Sequence, residues 1–289
     1  MVRIGVNTPL MKETIAEFGA YEAFRKVSEI GFKYYELSQY EMNKENVDAL
    51  LAAQADFGIR VRSVSADVEP LEGLHFKRQN LVDDFDEIVE TCRKLDCRHV
   101  RTFLIGGRTF ADLGALREYA DKFEAAAVKL ASVGMDYSYH PHNFEYCKLD
   151  GKVALRHFRD MTKETKFELC TFWIQTGGLD SASLIREFGS TGRVTVAHLK
   201  DYRTAVMTPE IHKRMMENPG AGVLFSLIQF AEAGEGNLDI PGIIAACDEV
   251  GTEYIFLEQD QHYGRSELDI LKTDWDNLCA MGFENRMRD

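Results

Sequence analysis

The chain has 289 residues, of which 45% are hydrophobic and 28% are charged, and its formal net charge is −13 at pH 7. This length allows one large domain or two ordinary ones, and the composition is that of a protein with a sizeable core and a solvated surface. The negative charge argues against a nucleic-acid partner or an anionic membrane surface, because both are recognised through basic residues.

The chain starts directly in a predicted strand, at Arg3–Asn7, without the basic region and apolar run of a signal peptide. No stretch approaches the roughly 18 apolar residues of a membrane span. The cysteines are scattered, at positions 92, 97, 147, 170, 247 and 279. Their spacing completes no zinc motif and indicates no disulfide framework. We therefore expect a cytoplasmic protein.

An amphipathic run, a turn residue and an apolar strand recur along the chain. Five of the turns contain a glycine that suits a helix C-cap, at positions 31, 58, 134, 192 and 251. The eight predicted strands are Arg3–Asn7, Phe32–Leu37, Ile59–Val64, Val100–Leu104, Met135–Tyr139, Phe167–Thr171, Val194–Leu199 and Tyr254–Leu257. Apolar residues at helical spacing lie between them, as in Leu81–Leu95 and Leu113–Val133, and Asn43 is a predicted N-cap.

Eight strand–helix units without a cluster of hairpin signals predict an α/β fold with a parallel sheet, closed into a (β/α)8 TIM barrel. A doubly wound open sheet is less favoured, because no glycine fingerprint follows the first strand. Two segments are longer than the repeating strand–helix unit requires. Leu71–Asn80 is long enough to lie over the barrel mouth, and Tyr202–Glu235, after the seventh strand, is a candidate lid or subunit contact. Without a linker, residues 1–289 are predicted to form a single domain.

Polar residues collect where three of the predicted strands end. They are His140, His142, Asn143 and Glu145 after the fifth strand, His198, Lys200 and Asp201 at the seventh, and Glu258 and Asp260 after the eighth. The carboxyl ends of barrel strands form one face, where the active sites of such barrels lie. The sequence therefore predicts a site assembled from distant segments.

Four segments occur in a fixed order: 140–145 (HPHNFE), 167–178 (FELCTFWIQTGG), 198–201 (HLKD), and 234–239 (GEGNLD) followed by 257–260 (LEQD). With them the chain resembles the sugar phosphate isomerase/epimerase superfamily of xylose-isomerase-like barrels over essentially its whole length. This superfamily includes ketose 3-epimerases, hydroxypyruvate isomerases, myo-inosose dehydratases and 3-keto-glycoside lyases. The combination indicates the superfamily but not a substrate.

The resemblance implies one divalent metal ion held by His140, residue 170, His198 and Glu258. Imidazole and carboxylate ligands suit manganese, cobalt, zinc or ferrous iron better than calcium. Cys170 departs from the pattern, because the family has an aspartate there. The thiolate could ligate zinc, cobalt or iron; alternatively, His142 or Glu145 replaces it as a ligand, or the metal affinity has been lost.

Such a metal would polarise a sugar carbonyl and acidify the adjacent C–H, so that a base can form an enediolate. The resemblance implies that Glu258 is one acid/base as well as a ligand. His142 is the second candidate, since imidazoles titrate near neutral pH, and Glu145 is a further one. Candidate substrate-binding residues are Trp173, Lys200, Asp260 and Asn143.

These residues predict a metal-dependent sugar isomerase or epimerase that acts on a keto-sugar or a related polyol ketone. A lyase or dehydratase that cleaves a 3-keto-glycoside or an inosose by β-elimination is the alternative within enzymes, and a non-catalytic sugar-binding subunit is the alternative outside them. No dinucleotide or phosphate loop is present. We expect a small-molecule sugar substrate, no nucleic-acid or membrane partner, and a homo-oligomer, with a hetero-oligomer as the alternative.

Overall fold

Eight parallel strands close into a barrel in the computed structural model, which describes residues 1–71, 78–102 and 109–288. The strands are Arg3–Asn7, Tyr34–Leu37, Arg60–Ser65, His99–Arg101, Asp136–Tyr139, Lys166–Cys170, Val196–Leu199 and Tyr254–Leu257. Each pairs with the strands before and after it in sequence, and the first pairs with the eighth. The predicted (β/α)8 barrel is therefore confirmed, and the open sheet is excluded.

Helices follow the strands and surround the barrel. The α-helices are Lys12–Phe18, Ala20–Ile30, Lys44–Phe57, Phe85–Leu95, Leu113–Ala131, Ala154–Met161, Thr171–Thr176, Ser181–Gly189, Pro209–Glu217, Ala221–Phe225, Ile240–Val250, Glu267–Ala280 and Glu284–Arg288. Short 3-10 helices cover Thr8–Met11 and Phe144–Tyr146. No helix in the described part of the chain is both long enough and apolar enough to cross a membrane.

The helix boundaries follow local sequence signals. The Asn43 side chain accepts the backbone N–H of Asn46 at 2.9 Å, so the predicted N-cap of helix Lys44–Phe57 is confirmed. Gly31 ends the helix Ala20–Ile30 with φ +135°, and a Cβ atom there would lie 2.3 Å from the Trp275 ring. Only glycine meets both conditions at this turn.

The barrel interior is apolar towards the amino ends of its strands and polar towards the carboxyl ends. Tyr34, Val196 and Phe256 form a small buried cluster, separate from the large core between barrel and helices. Further along the same strands, Glu36 and His198 are both 0% exposed. Buried charges lower the stability of a protein unless they are paired. The partners of Glu36 and His198 therefore indicate what this end of the barrel could bind.

Two short hairpins interrupt the strand–helix repeat, although the sequence predicted none. Lys148–Leu149 pairs with Lys152–Val153 around Asp150 and Gly151, whose φ values are +47° and +76°. Positive φ at both positions is the geometry that favours an Asp-Gly turn, so this signal was available in the sequence. Residues 72–77 of the predicted mouth loop, and 103–104 of the predicted fourth strand, lie outside the described residues.

The segment Tyr202–Glu235 contains strands and helices of its own. Its ends form a hairpin, in which Asp201–Thr204 pairs with Ile228–Ala231, and between them lie helices Pro209–Glu217 and Ala221–Phe225. We call the part from Thr204 to Ile228 the excursion. Its helix Pro209–Glu217 contains no buried residue. Large hydrophobic side chains are exposed along it: Val206, Met207, Met216, Leu224, Phe225 and Ile228.

Candidate metal centre

His198 lies at the centre of the polar end of the barrel, on the seventh strand. Its Nδ1 atom is 3.0 Å from Oε2 of Glu258, and its Nε2 atom is 2.7 Å from Oε1 of Glu36. Burial alone would lower the pKa of His198, but the surrounding carboxylates outweigh it and hold the pKa well above the ordinary value. The ring therefore has a fixed orientation, with one carboxylate at each nitrogen.

His140, at the end of the fifth strand, has a similar environment. Its Nδ1 atom is 3.0 Å from Oε2 of Glu168, although the two groups are not aligned as a hydrogen bond. Burial, with the nearby guanidinium of Arg101, holds the pKa of His140 well below its ordinary value. A neutral imidazole is the form that ligates metals.

His140, His198 and Glu258 can each place one donor atom within 4.8 Å of the other two. Two imidazoles and a carboxylate fit zinc, manganese, cobalt or ferrous iron. A carboxylate at the far nitrogen of a ligating histidine is the usual support in metal sites, and Glu36 and Glu168 are placed to provide it. Three of the four predicted ligands are thus brought together in an arrangement that suits a divalent ion.

Cys170, the fourth predicted ligand, belongs to none of the ligand groups among the described residues. It is fully buried, and its Sγ atom lies 4.0 Å from Oε2 of Glu258. Two other groups were not predicted. One is Glu36, Glu168 and His198, in which Arg101 pairs with both carboxylates. The other is Glu13, His262 and Glu267, after the first and eighth strands, where Glu267 already accepts the backbone N–H groups of Glu13 and Thr14.

Lys200 and Asp260 extend the centre towards solvent. The Lys200 ammonium is 2.7 Å from Oδ2 of Asp260 and 3.2 Å from Oε2 of Glu258. Burial raises the pKa of Glu258, but Lys200 and His198 outweigh it, so the carboxylate is held ionised with a pKa well below its ordinary value. The ammonium also lies 5.2 Å from the ring centroid of Trp173, so a cation and an indole face occur side by side.

His142 is half-buried beside the centre, with its ring centroid 5.0 Å from that of His140 and 5.5 Å from that of Trp173. Burial lowers the pKa of His142 to about 4. The ring is therefore neutral at physiological pH, and its pKa lies below the range that we expected for an acid/base group. Asn143 is exposed at the start of the short helix Phe144–Tyr146.

Glu145 supports the loop that carries His142. Its carboxylate is 0% exposed and accepts the Tyr139 hydroxyl at 2.7 Å and the His142 backbone N–H at 2.9 Å. Burial raises the pKa of Glu145 to about 7. With both oxygens bound inside the protein, this residue fits a positioning role better than the predicted acid/base role.

Asp201 links segment 198–201 to segment 234–239 through hydrogen bonds. Its carboxylate accepts backbone N–H groups from Gly234 and Gly236, each at 3.0 Å, and from Leu238 at 3.2 Å. A Cβ atom at Gly236 would lie 2.1 Å from Oδ1 of Asp201, so only glycine fits there. These contacts hold the base of the hairpin formed by Asp201–Thr204 and Ile228–Ala231 next to Lys200.

The profile of the family described as "Xylose isomerase-like TIM barrel" matches residues 24–277. The chain belongs to this family. No curated protein sequence shows significant similarity to it.

Solved structures show the same xylose isomerase-like barrel. A sugar phosphate isomerase/epimerase from Parabacteroides distasonis ATCC 8503 is 17% identical, with a TM-score of 0.72 over 96% of this chain and 98% of that one. An L-ribulose 3-epimerase is 15% identical, with a TM-score of 0.67 over 99% and 96%. The IOLI protein, solved with a zinc atom, is 11% identical, with a TM-score of 0.66 over 98% and 99%. At these identities the similarity establishes the fold and not the reaction.

The sequence analysis missed three residues of the centre: Glu36, Arg101 and Glu168. Each is a charged residue in a strand of this xylose isomerase-like barrel, and each is no more than 1% exposed. Glu36 lies in the strand Tyr34–Leu37, which is buried at all four positions. An acidic residue within a strand of the barrel was the sequence signal that could have identified it. A charge in a buried strand needs a partner in the interior.

Proposed function

We propose that the chain is a divalent-metal-dependent isomerase or epimerase that acts on a keto-sugar or a related polyol ketone through an enediolate. Its metal ligands would be His140, His198 and Glu258. The proposal is supported by one observation above all: each histidine faces a buried carboxylate with one ring nitrogen, which leaves the other nitrogen for a ligand position near Glu258.

A bound divalent ion would polarise the substrate carbonyl and lower the pKa of the neighbouring C–H. The residues of the chain would do the rest. Glu258, held ionised by Lys200, is the base closest to the ligand position. His142 is neutral and half-buried, so it can accept or share a proton on another side of the substrate, although its low pKa makes it a weak base.

The walls of the centre suit a sugar. Phe172 and Phe230 pack with ring centroids 4.8 Å apart, and the Lys200 ammonium lies 5.0 Å from the Phe230 ring. Trp173 continues this aromatic wall towards His142. Sugar hydroxyls would bind Lys200 and Asp260, and the apolar face of the sugar would pack on the rings.

The first experiment is metal analysis of the purified protein and of His198→Ala. We expect about one divalent ion in the wild type and a loss of that ion in the variant, because His198 is the best-fixed donor. His212→Ala is the control, since His212 is exposed on the excursion. Equal metal content in all three proteins would remove His198 from the ligand set.

The second experiment follows solvent deuterium uptake into a panel of ketoses. Glu258→Gln should slow uptake by about 10²–10⁴-fold, the usual contribution of a general base. Loss of a hydroxyl or release of an aglycone, instead of isomerised sugar, would identify the dehydratase or lyase reaction. A protein that binds metal and sugar but exchanges no proton would be a binding subunit, and the proposed activity would be wrong.

We also propose that two copies of this chain associate through the excursion. Isolated helices of this length are unstable in water, yet Pro209–Glu217 contains no fully buried residue within the subunit, and only Ile211 and Met215 are half-buried. Residues 205–229 carry two acidic and two basic side chains, Glu210, Glu217, Lys213 and Arg214, within a chain of net charge −13. Two copies can therefore meet here with little of the charge repulsion present elsewhere.

Light scattering tests this association. We expect a dimer mass for the wild type, and a shift towards monomer for Phe225→Asp, because Phe225 is 70% exposed in the isolated subunit. Val128→Asp is the matched control, since Val128 is an exposed apolar residue on another helix. A monomeric wild type would exclude self-association and favour a different protein as the partner.

A further inference from the structure

Arg101 is the largest of the side chains that are almost completely inaccessible to solvent, with 1% exposure at the end of the fourth strand. Its Nη1 donates to the Thr102 carbonyl at 2.8 Å, and its Nη2 donates to Oγ of Ser38 at 3.0 Å. Burying a guanidinium is expensive unless its interactions compensate. Within the described part of the chain, its ion-pair partners are the two carboxylates that face the histidines.

The guanidinium joins Glu36 to Glu168. Nη2 of Arg101 is 3.2 Å and Nε is 3.3 Å from Oε1 of Glu36, while Nε is 3.1 Å from Oε2 of Glu168. The same Oε1 of Glu36 contacts Nε2 of His198, and the same Oε2 of Glu168 contacts Nδ1 of His140. One guanidinium therefore contacts two oxygens that face the imidazoles, and Oε2 of Glu168 also lies 3.5 Å from Nε2 of His198.

We propose that Arg101 is a positioning residue for the metal centre: it holds Glu36 and Glu168 so that they direct Nδ1 of His198 and Nε2 of His140 to the ion. Glu36 accepts the Nε2 proton of His198, so Nδ1, which lies 3.0 Å from Glu258, is the nitrogen at which an ion would replace the proton. Oε2 of Glu168 faces Nδ1 of His140 at 3.0 Å, without the alignment of a hydrogen bond, and so leaves Nε2 of that ring for the ion. The inference rests on the proposed function, because it assigns these histidines as ligands.

A simpler role for Arg101 would be to neutralise two buried carboxylates. The two roles predict different metal affinities when a carboxylate is removed together with Arg101. If charge alone matters, removing one carboxylate together with the guanidinium should recover metal binding. If geometry matters, it should not, because Glu36 loses its support and His140 loses its carboxylate.

The test compares Arg101→Gln, Arg101→Lys and the double variant Arg101→Gln/Glu168→Gln. Affinities for Zn²⁺ and Mn²⁺ are measured by competition with a chelator. Carboxylates that support ligating histidines typically contribute 10–100-fold in metal affinity, so we expect Arg101→Gln to bind about 10–100-fold more weakly, with no recovery in the double variant. Full recovery in the double variant would show that Arg101 acts only through its charge.

The ring-nitrogen ¹⁵N signals of His140 in metal-free protein provide a second readout. This ring should show one tautomer in the wild type and a mixture of tautomers in Arg101→Gln. Arg193→Gln is the matched control, because Arg193 is also buried but donates to carbonyls of Thr162 and Thr165. It should lower the free energy of unfolding without changing the signals or the metal affinity.

Arg101→Lys covers the case in which Arg101→Gln does not fold, since lysine keeps the charge without the forked donors. Wild-type metal affinity and ring signals in Arg101→Lys would overturn the inference, as would an unchanged Arg101→Gln. If the wild type binds neither ion, the proposed function is wrong. The ring signals of the metal-free variants would then still decide whether Arg101 orients His140.

Discussion

Asp274 should make the protein less stable as the pH rises from weakly acidic to weakly basic. It is 2% exposed in helix Glu267–Ala280 and accepts the Ala233 backbone N–H at 2.6 Å. Burial is the main cause that raises the pKa of Asp274 from 3.8 to about 8, with a further contribution from Glu232, while the Ala233 N–H opposes it. The folded protein therefore keeps a proton that the unfolded chain releases.

The sign and the size follow from linkage. Below about pH 4 both states are protonated and the group makes no difference. Between about 4 and 8 the free energy of unfolding falls by up to about 1.4 kcal/mol per pH unit, to a limit of about 6 kcal/mol above pH 8. Relaxation of the site and water penetration reduce the size of this fall, so the test measures its slope.

Asp274→Asn tests this slope. Asparagine keeps an oxygen for the Ala233 N–H but cannot ionise, so the variant should lose this part of the pH dependence and be the more stable protein at pH 8. Its extra N–H₂ group costs about 1–3 kcal/mol if unpaired, at every pH. Urea unfolding at pH 5, 6, 7 and 8 measures the difference, with the exposed Asp276→Asn as the control. Parallel profiles for Asp274→Asn and the wild type would refute the reasoning.

Three further predictions concern the centre itself. Cys170→Asp should tighten Mn²⁺ binding relative to Zn²⁺, because hard oxygen replaces sulfur 4.0 Å from Glu258; equal affinities in both proteins would place residue 170 outside the coordination sphere. Glu145→Gln should remove a fall in stability between about pH 5 and 7, because burial raises the pKa of Glu145 to about 7, and a urea series would detect it. Lys200→Met should move the acidic limb of the kcat/KM profile to higher pH, since Lys200 lowers the pKa of Glu258; an unmoved limb would assign that limb to another group.

The fold could be predicted from sequence because its signals are local. Helix spacing and apolar strands repeat along the chain, five of the turns contain a C-cap glycine, and each of these signals can be recognised without knowing what it contacts. Seven of the eight strands begin and end within two residues of the prediction; the prediction for the fourth reaches residues outside the described part. His198 and Glu258 could also be placed, because barrel topology brings strand ends together.

The support of the centre could not be predicted in the same way. The role proposed for Arg101 depends on Glu36, 65 residues earlier, and on Glu168. No local pattern connects them. The basicity of His142 was also misjudged, because its pKa depends on burial that becomes visible only when the loop is folded. Glu145 resembles an acid/base in sequence and is a buried loop support in the structure.

Phe230 connects the excursion to the proposed sugar site. It lies on the return strand of the hairpin, and its ring contacts Phe172 beside the Lys200 ammonium. If pairing of two subunits fixes the excursion, it also fixes this wall of the sugar site. The activity would then depend on the concentration of the protein. Turnover per enzyme molecule would rise with protein concentration, and dilution below the dissociation constant of the dimer would inactivate the enzyme reversibly.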